Sequence, residues 1–475
     1  MPLKDIRAIR FKKRAEIKNP YPIKVKRSHS IIQVLADFEA LASKREVVSL
    51  VGRIRAIREH GGSTFINIED ESSKIQAYLK RDVLGKENYD YFLDYFDIGD
   101  FVQLEGTLFI TKRGEKTLEV KSYRMLAKSL LPLPEKWHGL KDVEERFRKR
   151  YLDMLVNPEV RSKLNLRIKI IEELREVLKK EGFKEVETPI LQSLPGGALA
   201  KPFKTYSNAL KMDLYLRISP ELYLKRLLIG GFEKIYEIGK CFRNEGIDWS
   251  HNPEFTMLEL YWAYQERDNL MKFIEEILYN LVKKIKGQEK FSYQGQEINF
   301  KPPLPRKTFH DLVKQYANVD LTSSTESQLK KKIKELGIKM GKKPDKVALL
   351  DELYKKTVLP RLIQPTFVVD HPIEMAILAK TREDNPSLAH RFQLVVAGME
   401  LVNGFSELND PVEQRKRFEE SNIAPERKDK DFLEAMEYGM PPAAGLGMGI
   451  DRLVILLTDS HSIREVIAFP TMKHR

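Results

Sequence analysis

A pair of alternating strands joined by a polar loop constrains the fold of this chain more than any other feature. The pattern covers residues 241–245 and 254–261. Side chains in a β-strand alternate between its two faces, so Arg243 and Glu245 are predicted to share one face of the first strand. The pattern therefore predicts a hairpin with charged groups gathered on one side.

The second strand and the loop complete this polar face. Phe255, Glu259 and Tyr261 alternate on one side of the second strand, and the loop carries Asp248 and His251. An arginine, several carboxylates, an aromatic plate and a histidine around one hollow suit an anionic, planar ligand such as a nucleotide. A salt-bridged hairpin on the protein surface is the alternative.

Glycines near the C-terminal end support the prediction of a ligand site. Gly445, Gly447 and Gly449 alternate in a strand-like stretch, and the apolar run 453–457 follows. Glycine lacks a Cβ, so such a strand lets a flat group approach its backbone. Arg452 would lie near the N-terminus of the following helix, where the helix dipole and the guanidinium both favour phosphate. A plain tight turn is the alternative.

Length and composition exclude several classes of protein. A chain of 475 residues is long enough for two or three domains, and its 42% of hydrophobic residues suffice for packed cores. No uninterrupted apolar stretch approaches the roughly 18 residues of a membrane span. Cys241 is the only cysteine, which rules out internal disulfides and a cysteine-rich zinc site. A reducing, cytoplasmic compartment without membrane attachment is expected.

The net charge of +13 is concentrated partly at the N-terminus. The first 27 residues contain ten lysines and arginines but only two acids. A basic arm on a soluble protein indicates nucleic acid as a partner. A solvated tail is an equal alternative, and binding to a membrane surface is a weaker one.

The hydrophobic pattern changes along the chain and predicts its domains. Residues 1–46 are interpreted as a basic, helical N-terminal extension. Short alternating strands in 47–130, with one helix between the third and fourth, match an OB-fold β-barrel. Residues 131–146 are interpreted as a proline-marked linker, and 147–475 mix helices with strands. The predicted fold class is therefore α+β.

Three motifs resemble those of the class II aminoacyl-tRNA synthetases. The stretch 242–245 is similar to motif 2 and the stretch 445–452 to motif 3, while the helix predicted at 164–180 and the segment 182–189 resemble motif 1. In that family, motif 1 builds the dimer interface and motifs 2 and 3 bind ATP. The resemblance implies a homodimer whose catalytic domain is an antiparallel sheet flanked by helices.

Further segments resemble the lysine-specific members of that family. They are Gly196-Gly197-Ala198, Ser219-Pro220-Glu221-Leu222 and Asn403-Gly404-Phe405-Ser406-Glu407. The segment 134–140 resembles the link that precedes the catalytic domain in these enzymes, and the resemblance extends from about residue 48 to residue 473. It implies ATP-dependent activation of L-lysine, followed by transfer of the lysyl group to the 3′ end of lysine tRNA.

The resemblance assigns roles to the residues of motifs 2 and 3. Arg243 would hold the α-phosphate and the amino-acid carboxylate, and Arg452 would hold the γ-phosphate, so both are expected to be catalytic. Phe255 would stack on adenine. Glu245 would accept a hydrogen bond from the adenine amino group, and His251 would hold the triphosphate. No protein nucleophile is needed, because positioning and charge neutralisation lower the barrier.

Glu400 and Glu407 resemble the magnesium ligands of the family, and Glu400 also belongs to its ATP-binding set. Carboxylate oxygens suit Mg²⁺, which bridges to phosphates. In a regular strand Glu407 would share a face with Asn403 and Phe405, and Glu400 would lie on the other face. A β-bulge or a strong twist is therefore predicted between them. An exposed glutamate without a metal is the alternative for Glu400.

Selection of the amino acid is expected to depend on carboxylates. By resemblance, Glu259 and Tyr261 hold the side-chain ammonium of lysine, and Glu221 and Gly197 hold its α-amino group. Glu221 would otherwise only offset the dipole of its own helix. The remaining lysine-binding residues implied by the resemblance are Asn403, Phe405 and Glu407.

Four residues of the predicted barrel match positions that read anticodon bases in the family: Arg58, Phe65, Gln76 and Glu119. An exposed aromatic ring on an OB sheet stacks an unpaired base, and amides read base edges. The alternation of Phe65 with Ile66 predicts that Phe65 lies on the more polar face. A place for Phe65 in the barrel core is the alternative.

An enzyme of the same fold that lysylates a protein instead of tRNA is one alternative, and the complete anticodon-type barrel argues against it. Two other functions remain open at this point. One is an aspartate– or asparagine–tRNA ligase of the same subclass, whose pocket would need to be cationic. The other is a catalytically inactive relative that serves as a nucleic-acid-binding or regulatory protein. The presence of Arg243, Glu245, Glu400 and Arg452 favours an enzyme.

Overall fold

The computed structural model of the chain describes residues 2–134, 140, 142–197, 200–338, 340, 344–421 and 428–473. The chain divides into two compact units, Met1–Lys141 and Asp142–Arg475. Most of the segment 134–140 and Ala198, both part of the family resemblance, lie outside the described residues. Within the described part, no helix is long and apolar enough to cross a membrane.

The first unit contains a closed five-stranded barrel. Its strands are β1 (Val48–His60), β2 (Ser63–Glu69), β3 (Lys74–Lys80), β4 (Phe101–Ile110) and β5 (Lys116–Ala127), paired in the order β1-β2-β3-β5-β4. Its helices are α1 (Leu3–Glu16), α2 (Ile31–Ala36), α3 (Phe38–Ser43), α4 (Arg81–Leu84) and α5 (Lys86–Tyr95). The predicted OB-fold, with a helix between the third and fourth strands, is confirmed.

Alternation of side chains explains why these segments close into a barrel. On β2, Thr64, Ile66 and Ile68 are buried, while Phe65 and Asn67 between them are partly exposed. Apolar residues at every second position thus fill the inside, and polar or aromatic ones remain on the outside. Phe65 therefore lies outside the barrel core.

The second unit is built on an eight-stranded sheet in the order β14-β15-β16-β17-β18-β11-β10-β6. Its strands are β6 (Lys184–Glu185), β10 (Lys234–Phe242), β11 (Glu254–Ala263), β14 (Arg306–Thr308), β15 (Thr366–Val369), β16 (Arg391–Val396), β17 (Met399–Ser406) and β18 (Ala443–Gly449). The smaller sheets contain β7 (Leu191–Gln192), β8 (Lys204–Ser207) and β9 (Met212–Leu216), and β12 (Lys290–Tyr293) with β13 (Gln296–Asn299).

The helices of the second unit complete an α+β architecture. They are α6 (Val143–Arg148), α7 (Arg150–Val156), α8 (Pro158–Lys180), α9 (Glu221–Ile229), α10 (Arg267–Lys286), α11 (Phe309–Ala317), α12 (Glu326–Glu335), α13 (Lys346–Thr357), α14 (Pro411–Glu420), α15 (Lys430–Glu437), α16 (Ile450–Leu457) and α17 (Ile463–Val466). Two 3-10 helices cover Leu359–Arg361 and Ile373–Met375. Helix α6 begins at Val143, within the predicted linker 131–146. The predicted domain boundaries remain predictions.

One large core determines which side of the sheet is left for a ligand. Ile170 and Leu174 of α8 and the apolar residues of α10 and α16 pack with Leu258 and Leu260 of β11. Because side chains alternate along a strand, Phe255 and Glu259 of β11 point to the opposite side. The antiparallel pairing of β11 with β10 and with β18 confirms the predicted class of sheet.

The predicted hairpin is correct except at the end of its first strand. Pairing between β10 and β11 ends at Phe242 and Glu254, so Arg243 and Glu245 lie in the loop and not on a strand face. The backbone N–H of Arg243 still donates to the carbonyl of Pro253 over 2.9 Å. Because Pro253 has no backbone N–H, it cannot donate a hydrogen bond back to Arg243, and regular pairing stops there.

The predicted irregularity near Glu400 is confirmed as a bulge. Leu394 pairs with Val402, but the next residue, Val395, pairs with Glu400, so Leu401 is the extra residue on β17. The bulge shifts by one residue the alternation of side chains between the two faces of β17. Glu400 therefore faces the same side of the sheet as Asn403.

Candidate active site

The second unit contains a cavity of about 210 Å³ on the free side of the large sheet. Strands β11, β17 and β18, the start of α9, the loop after β10 and the start of α16 supply its lining. Every residue predicted to bind ATP, lysine or metal lines this cavity: Gly197, Glu221, Arg243, Glu245, His251, Phe255, Glu259, Tyr261, Glu400, Asn403, Phe405, Glu407 and Arg452.

The cavity is narrow where the glycines of β18 line it. Gly445 lies beside Tyr261 and Glu407, and a Cβ at this position would collide with both side chains. Gly197, which also lines the cavity, has φ +81° and lies beside Ser219 and Glu221. Side chains larger than glycine at either position would push into the space that a ligand would fill.

Arg243 supplies an available cation at one end of the cavity. Its guanidinium carbon lies 5.0 Å from the centre of the Phe255 ring. Its Nε is buried and has no hydrogen-bond partner among the described residues. A buried donor without a partner is costly, and an anionic ligand would satisfy it.

Arg452 and His251 form a second polar group at this end. Arg452 donates to the backbone carbonyl of Glu400 over 2.6 Å and lies 3.1 Å from Nε2 of His251. Because a guanidinium only donates, Nε2 must accept. The proton of a neutral His251 is then on Nδ1, which lies 2.8 Å from a carboxylate oxygen of Asp248.

A partly buried guanidinium behind the cavity connects three segments that are distant in sequence. Arg167 of α8 contacts Asp451 at 2.5 Å and the hydroxyl of Thr256 at 2.9 Å. Asp451 also accepts from the backbone N–H of Thr256 over 2.7 Å. Arg167 thus holds the start of α16 against β11, which fixes the neighbouring Arg452 and Phe255. Sequence analysis missed this contact.

The other end of the cavity is anionic and deeply buried. Glu259 is 3% exposed. Its carboxylate accepts from the hydroxyl of Ser219 over 2.6 Å and from the hydroxyl of Tyr261 over 3.1 Å. Burial, reinforced by the nearby charge of Glu221, raises the pKa of Glu259 to about 7. A cation entering beside Glu259 would stabilise its ionised form.

Lys225 lies at the same end and was also missed by sequence analysis. Its ammonium is completely buried and contacts Glu221 at 2.7 Å and Glu407 at 2.5 Å. The ammonium also lies 5.4 Å from the centre of the Phe405 ring. Burial alone would lower the pKa of Lys225, but the two carboxylates outweigh it and the pKa is raised.

Glu400 is held by a chain of buried polar groups. The side-chain N–H of Gln393 donates to Glu400, and His371 lies 3.1 Å from the side-chain oxygen of Gln393. Since that oxygen only accepts, the proton of His371 is on Nε2. The described residues include one group of three His, Asp or Glu side chains close enough to share an ion: Glu266, Asp268 and His390. That group does not line the cavity.

The barrel brings its predicted nucleic-acid residues onto one face. Arg58 pairs with Phe65, Phe65 with Tyr78, and Tyr78 with Glu119 across four strands. The rings of Phe65 and Tyr78 stack with centres 4.7 Å apart. Arg58 also donates to the side-chain oxygen of Gln76 over 3.0 Å. Tyr78 was missed, although it alternates with Gln76 on the same strand.

Comparison with known proteins agrees with both units. Residues 142–473 match the family model described as tRNA synthetases class II (D, K and N). Residues 48–126 match the model described as OB-fold nucleic acid binding domain.

Full-length relatives narrow the family further. The lysine–tRNA ligase of Carboxydothermus hydrogenoformans is 46% identical, with 100% of this chain and 99% of the relative covered. That of Roseiflexus castenholzii is 49% identical over 96% and 95% of the two chains. That of Thermotoga maritima is 44% identical over 99% and 96%. The chain therefore belongs to the class II tRNA synthetases and, within them, to the lysine–tRNA ligase family.

Proposed function

We propose that the chain activates L-lysine with ATP and transfers the lysyl group to the 3′ end of lysine tRNA. One observation carries the proposal: a single cavity has an arginine with an unsatisfied Nε beside Phe255 and, elsewhere in its lining, the buried carboxylates of Glu221, Glu259 and Glu407. Phosphates and the lysine carboxylate need cations, whereas the two ammonium groups of lysine need carboxylates.

Activation begins when the lysine carboxylate attacks the α-phosphorus of ATP and pyrophosphate leaves. In this proposal Arg243 contacts both the carboxylate and the α-phosphate, which brings the reacting groups together and offsets the charge between them. Arg452 and His251 hold the departing phosphates. Phe255 stacks on adenine, and Glu245 accepts from its amino group. The terminal ribose hydroxyl of the tRNA then attacks the lysyl carbonyl, and AMP leaves.

The anionic end selects the amino acid. Glu259, with Tyr261 beside it, binds the side-chain ammonium of lysine, and Glu221 with Gly197 binds the α-amino group. Asn403, Phe405 and Glu407 complete the wall. An aspartate side chain would meet the carboxylates of Glu221 and Glu259 here, and like charges in a buried site repel strongly. These contacts support lysine over aspartate or asparagine.

Magnesium is proposed as the ion that accompanies ATP. Glu400 fits this ion best, because its side chain lines the cavity and its carboxylate accepts a hydrogen bond from Gln393. The backbone carbonyl of Glu400 also accepts from Arg452, the arginine assigned to the phosphates. Glu407 remains a predicted ligand, although its contact with Lys225 favours a role toward amino groups. Magnesium held with the phosphates neutralises part of their charge.

Exchange of labelled pyrophosphate into ATP tests the proposal. The purified chain is assayed with magnesium and each of the twenty amino acids in turn. Exchange is expected with lysine far above the other nineteen. A preference for aspartate or asparagine, or no exchange with any amino acid, would contradict the proposed activity.

The affinity for lysine is expected to depend on pH. Because burial raises the pKa of Glu259 to about 7, this carboxyl is mainly protonated below that pH and must lose its proton to pair with an ammonium. KM for lysine should therefore fall by up to about tenfold per unit well below pH 7, by a smaller factor near pH 7, and level off about one unit above it. KM for ATP measured in the same series is the control. A lysine KM that does not change between pH 6 and 8 would contradict the assignment.

Recognition of the tRNA anticodon is proposed for the aromatic face of the barrel. Phe65→Ala is expected to remove roughly 1–3 kcal/mol of base stacking from tRNA binding, with lysine-dependent exchange unchanged. Phe101→Ala, on β4 of the same barrel, is the matched control, because Phe101 packs on Arg53 away from this face. Aminoacylation and exchange are measured for both variants. Equal losses of both activities in Phe65→Ala would show a folding defect instead.

A cytoplasmic homodimer is the proposed assembly. Ile168 of α8 lies in the helix that resembles motif 1 and is 54% exposed in the single chain. Leu191 of β7 lies two residues beyond the motif 1 segment 182–189 and is 51% exposed. Since motif 1 builds the dimer interface in the family, these side chains are the ones that a partner subunit is expected to cover. Light scattering during size-exclusion chromatography gives the mass directly, and a monomer at micromolar concentration would contradict the proposal.

A further inference from the structure

Three carboxylates line the amino-acid end of the cavity, but lysine has only two ammonium groups. Glu221, Glu259 and Glu407 are 7%, 3% and 0% exposed. Burial raises the pKa of both Glu259 and Glu407, and the charge of Glu221 raises both further, so the three carboxylates lie close enough to interact. An unpaired charge in such a buried place is strongly unfavourable. One carboxylate therefore requires a cation that belongs to the protein.

Lys225 is that cation. It is completely buried and lies between Glu221 and Glu407, with contacts of 2.7 and 2.5 Å. The contact with Glu221 follows from helix geometry, since the two residues are four apart on α9 and share a face. The contact with Glu407 joins α9 to the segment after β17. Lys225 thus lies behind the wall that the proposed function assigns to the α-amino group.

We infer that Lys225 is a specificity-determining residue, which neutralises one of three cavity carboxylates and leaves two negative charges for the two ammonium groups of lysine. The charge count supports this role. With all three carboxylates ionised, the state that two bound ammonium groups would favour, the carboxylates and Lys225 together carry a charge of −2. Arg243 supplies the positive charge for the lysine carboxylate. The inference rests on the proposed lysine activity and concerns a residue that does not touch the reacting atoms.

Charge-balancing variants test the inference. Lys225→Met leaves three negative charges, and Glu407→Gln leaves one. Each single variant is expected to raise KM for lysine by at least about 30-fold, the loss typical of removing one member of a buried charged pair. The double variant Lys225→Met/Glu407→Gln restores two negative charges. Its KM for lysine is expected to be lower than that of either single variant, with KM for ATP close to wild type throughout.

The comparison separates a charge effect from a structural one. Because Lys225 and Glu407 are in contact, their substitutions are coupled even if the pair only supports the fold. A structural role would instead lower the melting temperature and raise KM for lysine and KM for ATP together. A parallel rise in KM for ATP, or a double variant that is no better for lysine than either single variant, would overturn the inference. If Lys225→Met does not fold, Glu407→Gln and the double variant decide alone: a lower lysine KM in the double supports the inference, and an equal or higher one overturns it.

Two controls complete the design. Lys225→Arg keeps the charge and should bind lysine within about fivefold of wild type, since only the shape of the cation changes. Lys240→Met removes a lysine from an exposed pair with Glu254 and should leave both KM values unchanged. Wild-type exchange with lysine is measured first, because its absence would contradict the proposed function and not this inference.

Discussion

Arg243→Ala is expected to reduce lysine-dependent pyrophosphate exchange by about 100-fold or more. Loss of one charge-assisted contact to a transition state typically has an effect of this order. Arg243 lies beside Phe255, with a buried Nε that no described residue satisfies. It is the cation best placed to contact both reacting groups, so the loss should appear mainly in kcat and in kcat/KM for both substrates.

Two further variants make the result for Arg243 specific. Arg243→Lys keeps the charge but loses the planar pair of donors, so its activity should lie between those of wild type and Arg243→Ala. Arg415→Ala removes an arginine from an exposed pair with Glu437 and should leave exchange unchanged. Circular dichroism and thermal melting confirm that each variant is folded. Near-normal exchange by a folded Arg243→Ala would refute the assigned role.

Glu259→Gln is expected to weaken the use of lysine by about 2–5 kcal/mol, the range for breaking a buried charged pair. The substitution keeps the size of the side chain and its ability to accept from Ser219, but it removes the charge. The side-chain ammonium of lysine would then be buried without a counterion. KM for ATP should change little, because Glu259 belongs to the amino-acid end.

The same substitution on the same strand provides the control for Glu259. Glu254, the first residue of β11, forms an exposed pair with Lys240, and exposed pairs contribute little. Glu254→Gln should therefore bind lysine within about twofold of wild type. Lysine-dependent exchange and ATP affinity are measured in one preparation of each variant. If Glu259→Gln retains wild-type use of lysine, another residue must bind the side-chain ammonium.

Much of the site could be predicted because several of its residues lie close together in the sequence, on a single strand. Phe255, Glu259 and Tyr261 follow the period of a single strand, and β11 places them on one side as expected. The bulge beside Glu400 could be predicted for the same reason, since regular alternation would separate it from Asn403. Short-range patterns thus identified both the lining of the cavity and one irregularity in it.

The residues that sequence analysis missed depend on tertiary contacts. Arg167 and Asp451 are 284 positions apart, and no local pattern indicates that they meet. Lys225 follows Glu221 by one helical turn, which is normally a solvent-exposed pair. Only the packing of α9 shows that this pair is buried beside the cavity.

The order of the large sheet has a consequence for how the protein is made. The strand β18 is the last strand of the described chain, yet it lies in the middle of the sheet between β17 and β11. Until it is synthesised, β11 and β17 each present an open hydrogen-bonding edge, and such edges readily pair with other chains. We expect the catalytic unit to complete its folding only after the residues from Ala443 onward leave the ribosome. A nascent chain stopped before Ala443 should require a chaperone to remain unaggregated.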